Sequence, residues 1–301
     1  MSPRPRVAVV VVAYESRDTL ADCLEALARD ASVPIETVVV DNASTDQSAD
    51  LARARFPAAS VIANAENRGF ARACNQGARA THAPLVLFLN PDATLERGAL
   101  GALAALFDAR PRLGVAGPRT LGAHGEIQVS SGPDLSLQSE WRQRWLVRGV
   151  AARDARALAE AEALHSRERV VDWVSGACLM VRRAAFDAVT GFDEGYFLYE
   201  EDADLCRRVR AAGFEVVFTP AAVARHALGR SMVRAPARAR LEYQRSHLRY
   251  YRTYRGLPSN AVLRVLLALR ATAGVVRGTL TVDASRSRES LALLRLALAG
   301  R

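Results

Sequence analysis

Lysine is absent from the 301 residues: all 41 basic side chains are arginine. In an alanine-rich chain this reflects coding bias, and no chemistry follows from it. Aromatic residues are few, at 6%. Cysteine occurs only at Cys23, Cys74, Cys178 and Cys206, never with CxxC spacing and always among apolar neighbours. That excludes a disulfide framework or a zinc site and predicts buried free thiols in a reducing cytoplasm. No GxGxxG follows the first apolar run and no GxxxxGK[ST] occurs, which disfavours a dinucleotide fold and a P-loop NTPase. No stretch approaches 18 uncharged apolar residues, so no transmembrane helix stands out. The opening MSPRPRVAVVVVAY lacks a small-residue cleavage site and reads as a strand rather than a signal peptide.

What is present is a chain 50% hydrophobic and 24% charged. That excludes a mainly disordered protein and fits one to two domains with a real core. The net charge of +9 is unevenly spread. From Arg225 onward, 16 arginines face only Glu242, Asp283 and Glu289, leaving +13; the first 224 residues carry 25 arginines against 29 acids, leaving −4. A basic tail on an acidic body points to an anionic surface, membrane or nucleic acid, unless it is simply a solvated helical face.

Val7 to Ala13 is an unbroken Val/Ala run, as a parallel strand buried on both faces requires. A helical pattern follows with Leu20, Leu24 and Leu27 on one face. Strands are predicted over 35–40, 60–63 and 85–89, and helices over 70–80 and 95–109. Ser44 with Gln47 reads as a capping box that opens a further helix. Beyond Leu113 the pattern is irregular, with a helix predicted through 151–165, a strand over 170–182 bent at Ser175-Gly176, a helix over 203–212 stopped by Gly213, and a strand over 214–218. The α/β body ends near His226, and the remainder is mostly helical. Alternation of this kind implies an α/β sheet with helices on both faces, whose ligands bind beyond the carboxyl ends of the strands. Three polar clusters fall at those ends: Tyr14-Glu15, Asp41-Asn42 and Asn90-Pro91-Asp92.

Each cluster has a chemical use and a bland one. Tyr14 can stack on a base, Glu15 can hold ribose hydroxyls, and Asp41 can accept from a base N–H; Asp41-Asn42-Ala43-Ser44 also suits a turn and helix cap. Asp92, leaving the apolar run LVLFL, can hold a hard cation shared with phosphates, or can sit in an ordinary Asx-Pro turn. Tyr199-Glu200-Glu201-Asp202-Ala203-Asp204 places four acids in five positions at a helix start. A helix dipole rewards one or two, so the rest need nearby cations, for which Arg207 and Arg208 are candidates, or take a raised pKa suited to a general base. His226 follows the last strand-like segment, and Trp173 and Tyr199 can stack on a sugar or fill a core.

The motifs AYES, DNASTD, ENRGFARACNQG, LNPD, WVSGACLMVRR, GFDEGYFLYEEDADLCRR and a later His-x-x-Gly-x-Ser occur together, in order. In this combination the chain resembles the family-2 inverting glycosyltransferases with the GT-A fold, within them the bacterial rhamnosyltransferase-like group, over about residues 6–231. The resemblance implies a nucleotide-diphosphate sugar donor, with dTDP-rhamnose foremost, and Mg²⁺ or Mn²⁺. It implies that Tyr14, Glu15 and Asp41 line the nucleoside pocket, that Asn67, Arg68, Gly69 and Asn75 shape the diphosphate edge, and that Asp92, with His226, holds the metal. Asn90 replaces the first acid of the family's DxD-type motif, leaving fewer carboxylates for the cation. Asp202 matches the catalytic base, with Glu201 beside it, and Trp173, Gly176 and Tyr199 are assigned to the acceptor side.

The expected organisation is a GT-A domain over 1–231 and a basic helical tail over 232–301. The tail's Tyr243, Tyr250, Tyr251 and Tyr254, interleaved with arginines, suit a headgroup boundary. The expected setting is the cytoplasm, peripheral on the inner face of a bacterial membrane, with a saccharide or lipid-linked acceptor, no nucleic acid, and a homo-oligomer left open. The competing readings are an inactive nucleotide-sugar-binding protein and a nucleic-acid binder acting through the tail, which lacks any groove-reading motif.

Overall fold

The computed structural model describes residues 4–30, 32–227 and 236–299. They fall into two compact units: 4–197 with 201–227, and 198–200 with 236–299. The boundary expected after residue 231, with Gly229, Ser231 and Arg234, lies outside the described residues.

The first unit is an α/β sheet. Strand β1 (Val7–Ala13) pairs in parallel with β2 (Ile35–Asp41) on one side and β4 (Leu85–Leu89) on the other. All seven β1 residues are buried, because neighbours flank it and helices cover both faces. Each fully buried Val contributes about 1.5–3 kcal/mol. Helix α1 (Arg17–Arg29) buries Leu20, Leu24 and Leu27, as the spacing predicts. Helix α2 (Ser48–Arg55) and β3 (Ala59–Ala63) extend that side; α3 (Phe70–Arg79) returns to β4. Gly77 lets α3 approach the sheet, since a Cβ there would lie 2.4 Å from Val10 Cγ1. The order runs β3-β2-β1-β4, then β11 (Cys178–Arg182), antiparallel to β4. β6 (Leu113–Leu121), β12 (Glu215–His226) and β5 (Ala93–Leu95) complete it. The chain reverses its winding between β1 and β4, which is where such a sheet opens a crevice.

Several elements depart from the sequence reading. The capping box at Ser44 does not form: α2 starts at Ser48, Gln47 stands at the N-cap with φ 67° and makes no side-chain bond to the helix start, and Ser44 Oγ instead accepts from Glu15 N at 3.0 Å. The helix expected from 95 starts at Ala99 as α4 (Ala99–Ala109), because residues 93–95 pair with the far end of β12. β12 itself runs through Pro220 to His226, carried by a register shift between Thr219 and Val223. The irregular stretch holds β7 (Ile127–Gln128), β8 (Ser131–Gly132), α5 (Leu137–Ala151) and α6 (Ala155–His165). Of these only α6 was expected. The bent 170–182 segment divides into β9 (Arg169–Val170), β10 (Trp173–Val174) and β11, with Ser175-Gly176-Ala177 as the turn. Helix α7 (Arg183–Ala188) follows. Helix α8 (Glu201–Ala211) ends before Gly213, whose φ is +89°. All four cysteines are free and buried, and burial pushes Cys178 and Cys206 up to about 12.

The second unit holds α9 (Pro236–Tyr254), α10 (Gly256–Leu280) and α11 (Ala284–Leu298). Its tyrosines do not face outward as a headgroup belt. Tyr250 and Tyr251 are fully buried, and Tyr243 stacks on His247 at 5.4 Å. Small residues bring α10 against α11: a Cβ on Gly274 would lie 2.4 Å from Ser290 Oγ. Arg264 turns inward and donates to the carbonyls of Ala297 and Ala299 at 3.0 and 2.6 Å, closing the end of α11. The opposite face of α10, with Val262, Leu266, Leu269, Val276 and Leu280, is exposed, and α10 is long and apolar enough by length and composition to cross a membrane.

Candidate active site

The strand ends place the first group of candidates together. Tyr14, 37% exposed, and Glu15, held at φ 51°, leave β1. The Glu15 carboxylate accepts from Thr45 N at 2.7 Å and Thr45 Oγ1 at 3.0 Å, locking it to the segment after β2. Asp41 closes β2 and is 4% exposed. Its Oδ2 accepts from Ser44 N at 3.1 Å, whereas Oδ1 is buried with no hydrogen-bond partner among the described residues. An orphaned carboxylate oxygen is costly, and it presents an acceptor to a ligand N–H.

A stitched loop borders this pocket. Asn42, to which the sequence assigns no role beyond the turn, donates to Asn67 Oδ1 and Gly69 O and accepts from Asn64 and from Arg68 N. Gly69, at φ +85°, has no room for a side chain: a Cβ would lie 2.6 Å from Phe197 O, which accepts from Phe70 N at 2.7 Å. The loop is thereby pinned directly ahead of the acidic segment. Arg68 is half exposed, 3.7 Å from Glu66. Asn75 is engaged differently. Its amide exchanges two hydrogen bonds with the Phe192 backbone and donates to Glu194, so it holds that turn.

The third group centres on the Ser175–Ala177 turn. Asn90 N donates to Ala177 O at 2.9 Å, and Gly176 N donates to Asp202 Oδ2 at 2.7 Å. One turn therefore joins the Asn90-Pro91-Asp92 strand end to Asp202, at the start of α8. Asp202 Oδ1 accepts from Ala203 N at 2.8 Å. Burial pushes the Asp202 carboxyl above the ordinary aspartate value, while these two backbone donors pull the other way. The neighbouring acids are relieved by specific partners: Asp204 by Arg208, at 2.7 Å. Arg207 pairs instead with Asp134. Glu201 is buried beside Cys74, whose pKa its charge helps to raise.

His226, at the end of β12, meets this centre. Its Nε2 is 3.1 Å from Asp92 Oδ1 and 3.4 Å from Asn90 Nδ2. Its Nδ1 is 3.2 Å from Gln128 Oε1, and the Gln128 amide is oriented by donating to the His226 carbonyl at 2.7 Å. The ring is thus held with Nδ1 toward Gln128 and Nε2 toward the Asp92 carboxylate. The imidazole nitrogen and the carboxylate oxygen, 3.1 Å apart, form a pair that can share one cation. A hard divalent ion fits this pair, with donor phosphates and water completing its shell. Among the described residues no cluster of three or more His, Cys, Asp or Glu forms a cage. Gln128, the residue that fixes the histidine, carried no signal in the sequence.

On the acceptor side, Trp173 lies beside the same turn, only 8% exposed, with Nε1 donating to Pro133 O at 2.9 Å. Tyr199 belongs to the second unit, where its ring meets Tyr243 edge-on at 5.8 Å. Tyr199 and Glu200 both have left-handed backbones, at φ 70° and 65°. Ser246 Oγ donates to Leu198 O at 2.8 Å and His247 Nδ1 lies 3.0 Å from Glu200 Oε1, so α9 holds this pair.

The family model described as glycosyltransferase like family 2 matches residues 3–253. The N-acetylglucosaminyl-diphospho-decaprenol L-rhamnosyltransferase of Mycobacterium tuberculosis is 33% identical over 250 residues, 76% of this chain and 78% of that protein. Rhamnosyltransferase WbbL of Escherichia coli K12 is 46% identical over 65 residues, 22% of this chain and 24% of that protein. Among solved structures, a mannosyltransferase from Pyrobaculum calidifontis in complex with GDP-Man and Mn²⁺ aligns with a TM-score of 0.57 at 19% identity, covering 99% of this chain and 87% of that one. The last likeness gives the fold: GT-A.

Proposed function

The chain belongs to glycosyltransferase family 2, and on that premise we propose that it moves rhamnose from dTDP-rhamnose to a hydroxyl of a lipid-linked saccharide, with inversion, in cell-wall polysaccharide synthesis. The observation that carries the reading is the Ser175–Ala177 turn, whose backbone ties the Asp92 strand end to the Asp202 carboxylate. The M. tuberculosis relative, a rhamnosyltransferase by name and similar along most of its length, supports the choice of sugar and acceptor.

In this reading the nucleoside lies against Tyr14 and Glu15, with Asp41 Oδ1 accepting from the base. The loop 67–69 borders the diphosphate. Asp92 and His226 would hold Mg²⁺ or Mn²⁺, which when bound offsets the charge that builds on the leaving diphosphate. Asp202 takes the proton of the acceptor hydroxyl as that oxygen attacks the anomeric carbon, so a single displacement inverts the configuration. One base suffices, and no sugar–enzyme bond forms. Glu201 supports its neighbour, while Trp173 and Gly176 border the acceptor. The test is thermal unfolding across a panel of nucleotide sugars, because ligands of the native state raise the melting temperature. The expected result is the largest shift with dTDP-rhamnose; a larger shift with another donor replaces that sugar assignment.

The second unit supports attachment to an anionic membrane on the cytoplasmic side. The exposed apolar face of α10 and the +13 charge beyond residue 224 suit an interfacial helix whose arginines reach the headgroups. Each arginine near such a surface contributes about 1 kcal/mol, screened by salt. The chain is expected to sediment with phosphatidylglycerol vesicles at low salt, to release partly at high salt, and to do so less after Leu266→Asp with Leu269→Asp. Equal recovery in the supernatant with neutral and acidic vesicles would show that this face serves another purpose.

A further inference from the structure

Beside the reaction centre the first unit carries an open hollow of about 830 Å³. One end is polar, formed by Ser175, Gln128 and His226, next to the turn that holds Asp202. The rest of the lining is mostly apolar, with Ile127, Val129, Val147, Val150 and Leu158; His124 and Glu126 also reach it, and the Glu126 carboxylate accepts from His124 N at 3.0 Å. The wall has its own small core, in which Leu146, Ala157 and Ala161 pack with Ile127, Val129 and Val150. A preformed apolar hollow with a few converging polar groups is a ligand site by its physics, and this volume holds a molecule of lipid-fragment size.

Three observations identify the occupant. Val147 and Leu158 remain 47% and 39% exposed, so among the described residues the wall presents uncovered apolar surface. Arg153 stands on the cavity's lining, held at φ 56° where the chain turns from α5 to α6. On α5 itself Trp141 and Trp145, one turn apart, are 75% and 42% exposed, a use of indole suited to a water–lipid boundary. An apolar wall, an arginine on the lining and exposed indoles on the same helix match one chemical class: an apolar chain bearing an anionic phosphate head.

We propose that this cavity binds the first apolar units of a phosphate-linked lipid acceptor, laying its hydroxyl-bearing head toward Ser175 and Asp202. The inference rests on the lipid-linked acceptor of the preceding reading and adds where the lipid sits. The chain in the hollow buries apolar surface on the Val147–Leu158 wall, and Arg153 meets the phosphate. The glycosyl end then projects along the polar end.

The test is binding without any donor, so the sugar assignment does not enter. The probe is a fluorescent short polyisoprenyl diphosphate below its micelle concentration, titrated into the full chain. Wild type is expected to saturate, and Val147→Asp with Leu158→Asp to bind roughly tenfold more weakly or worse, because a charge has been placed on the apolar wall. Ala151→Trp, which fills the hollow without a charge, is expected to weaken binding similarly, with thermal unfolding confirming that both variants fold. A probe held by the face of α10 would ignore all three substitutions, and that result overturns the proposal. So does absence of saturable binding in wild type. If probe binding behaves as expected while dTDP-rhamnose fails in the donor panel, only the sugar assignment falls.

Discussion

Replacing Asp202 by asparagine is expected to slow sugar transfer by about a hundredfold to ten-thousandfold, the usual cost of losing a general base. The amide has the carboxylate's shape but cannot accept the proton. Donor binding should survive, since Asp202 faces Gly176 and Ala203 rather than the nucleoside pocket. The fold should lose little at neutral pH. Burial raises the carboxyl's pKa in the folded state, so the stability tied to its protonation is present below the unfolded value and lost as pH rises through the folded one. Removing the charge relieves that burden, which offsets the loss of one of two backbone hydrogen bonds. The same raised pKa fixes the pH dependence. Transfer needs the carboxylate, so kcat/KM of wild type should fall on the acid side through a pKa above the ordinary aspartate value of about 3.9. Rate profiles and unfolding curves of both proteins check this. A variant transferring sugar at near wild-type rate would move the base elsewhere.

Asp92→Ala should be nearly as damaging, with a loss of about a hundredfold or more if the cation supplies several kcal/mol of charge stabilisation. Here the binding measurement is more telling than the rate. Because Asn90 contributes no charge, Asp92 and His226 offer the cation one carboxylate and one imidazole nitrogen. Calorimetry with Mn²⁺ should show weak binding to the protein alone and much tighter binding with nucleotide diphosphate present, and Asp92→Ala should abolish the difference. Gln128→Leu should weaken binding by about ten- to hundredfold, the usual effect of freeing a ligand histidine from its orienting partner. Full activity after exhaustive chelation would remove the metal from the reaction.

The parts of this molecule legible in the sequence were those set by local pattern. The Val/Ala run of β1, the Leu20-Leu24-Leu27 stripe of α1 and the acids opening α8 each specify their own element. What escaped depends on partners far along the chain. β5 is three residues long and exists because β12 pairs with it from 130 residues away. Ser44 and Gln47 spell a helix start, yet Ser44 is drawn to Glu15, so a tertiary contact wins over a local cap. Gln128 gains its role only when β6, β7 and β12 bring it beneath His226, 98 residues on. The tail tyrosines resembled a membrane belt because residue type alone cannot tell a buried ring from a surface one. Tyr250 and Tyr251 prove to be core.

The three residues Leu198–Glu200 belong, by their packing, to the helical unit that begins dozens of residues later, yet in sequence they lie between Phe197 and the acids of α8. The helical unit is therefore not an appendix: no single cut detaches it, and no fusion at its start transplants it whole. Ending the chain after residue 232 would strip Leu198 and Glu200 of Ser246 and His247, and leave Tyr199 and Glu200 to hold left-handed backbones, each costing of order 1–3 kcal/mol, without that support. Shortened proteins of this kind should thus fail as catalysts even in solution with a water-soluble acceptor. For a chain that passes three times between its units, surface substitutions and not deletions are the means of testing the proposed membrane role of the helices apart from their support of the residues beside Asp202.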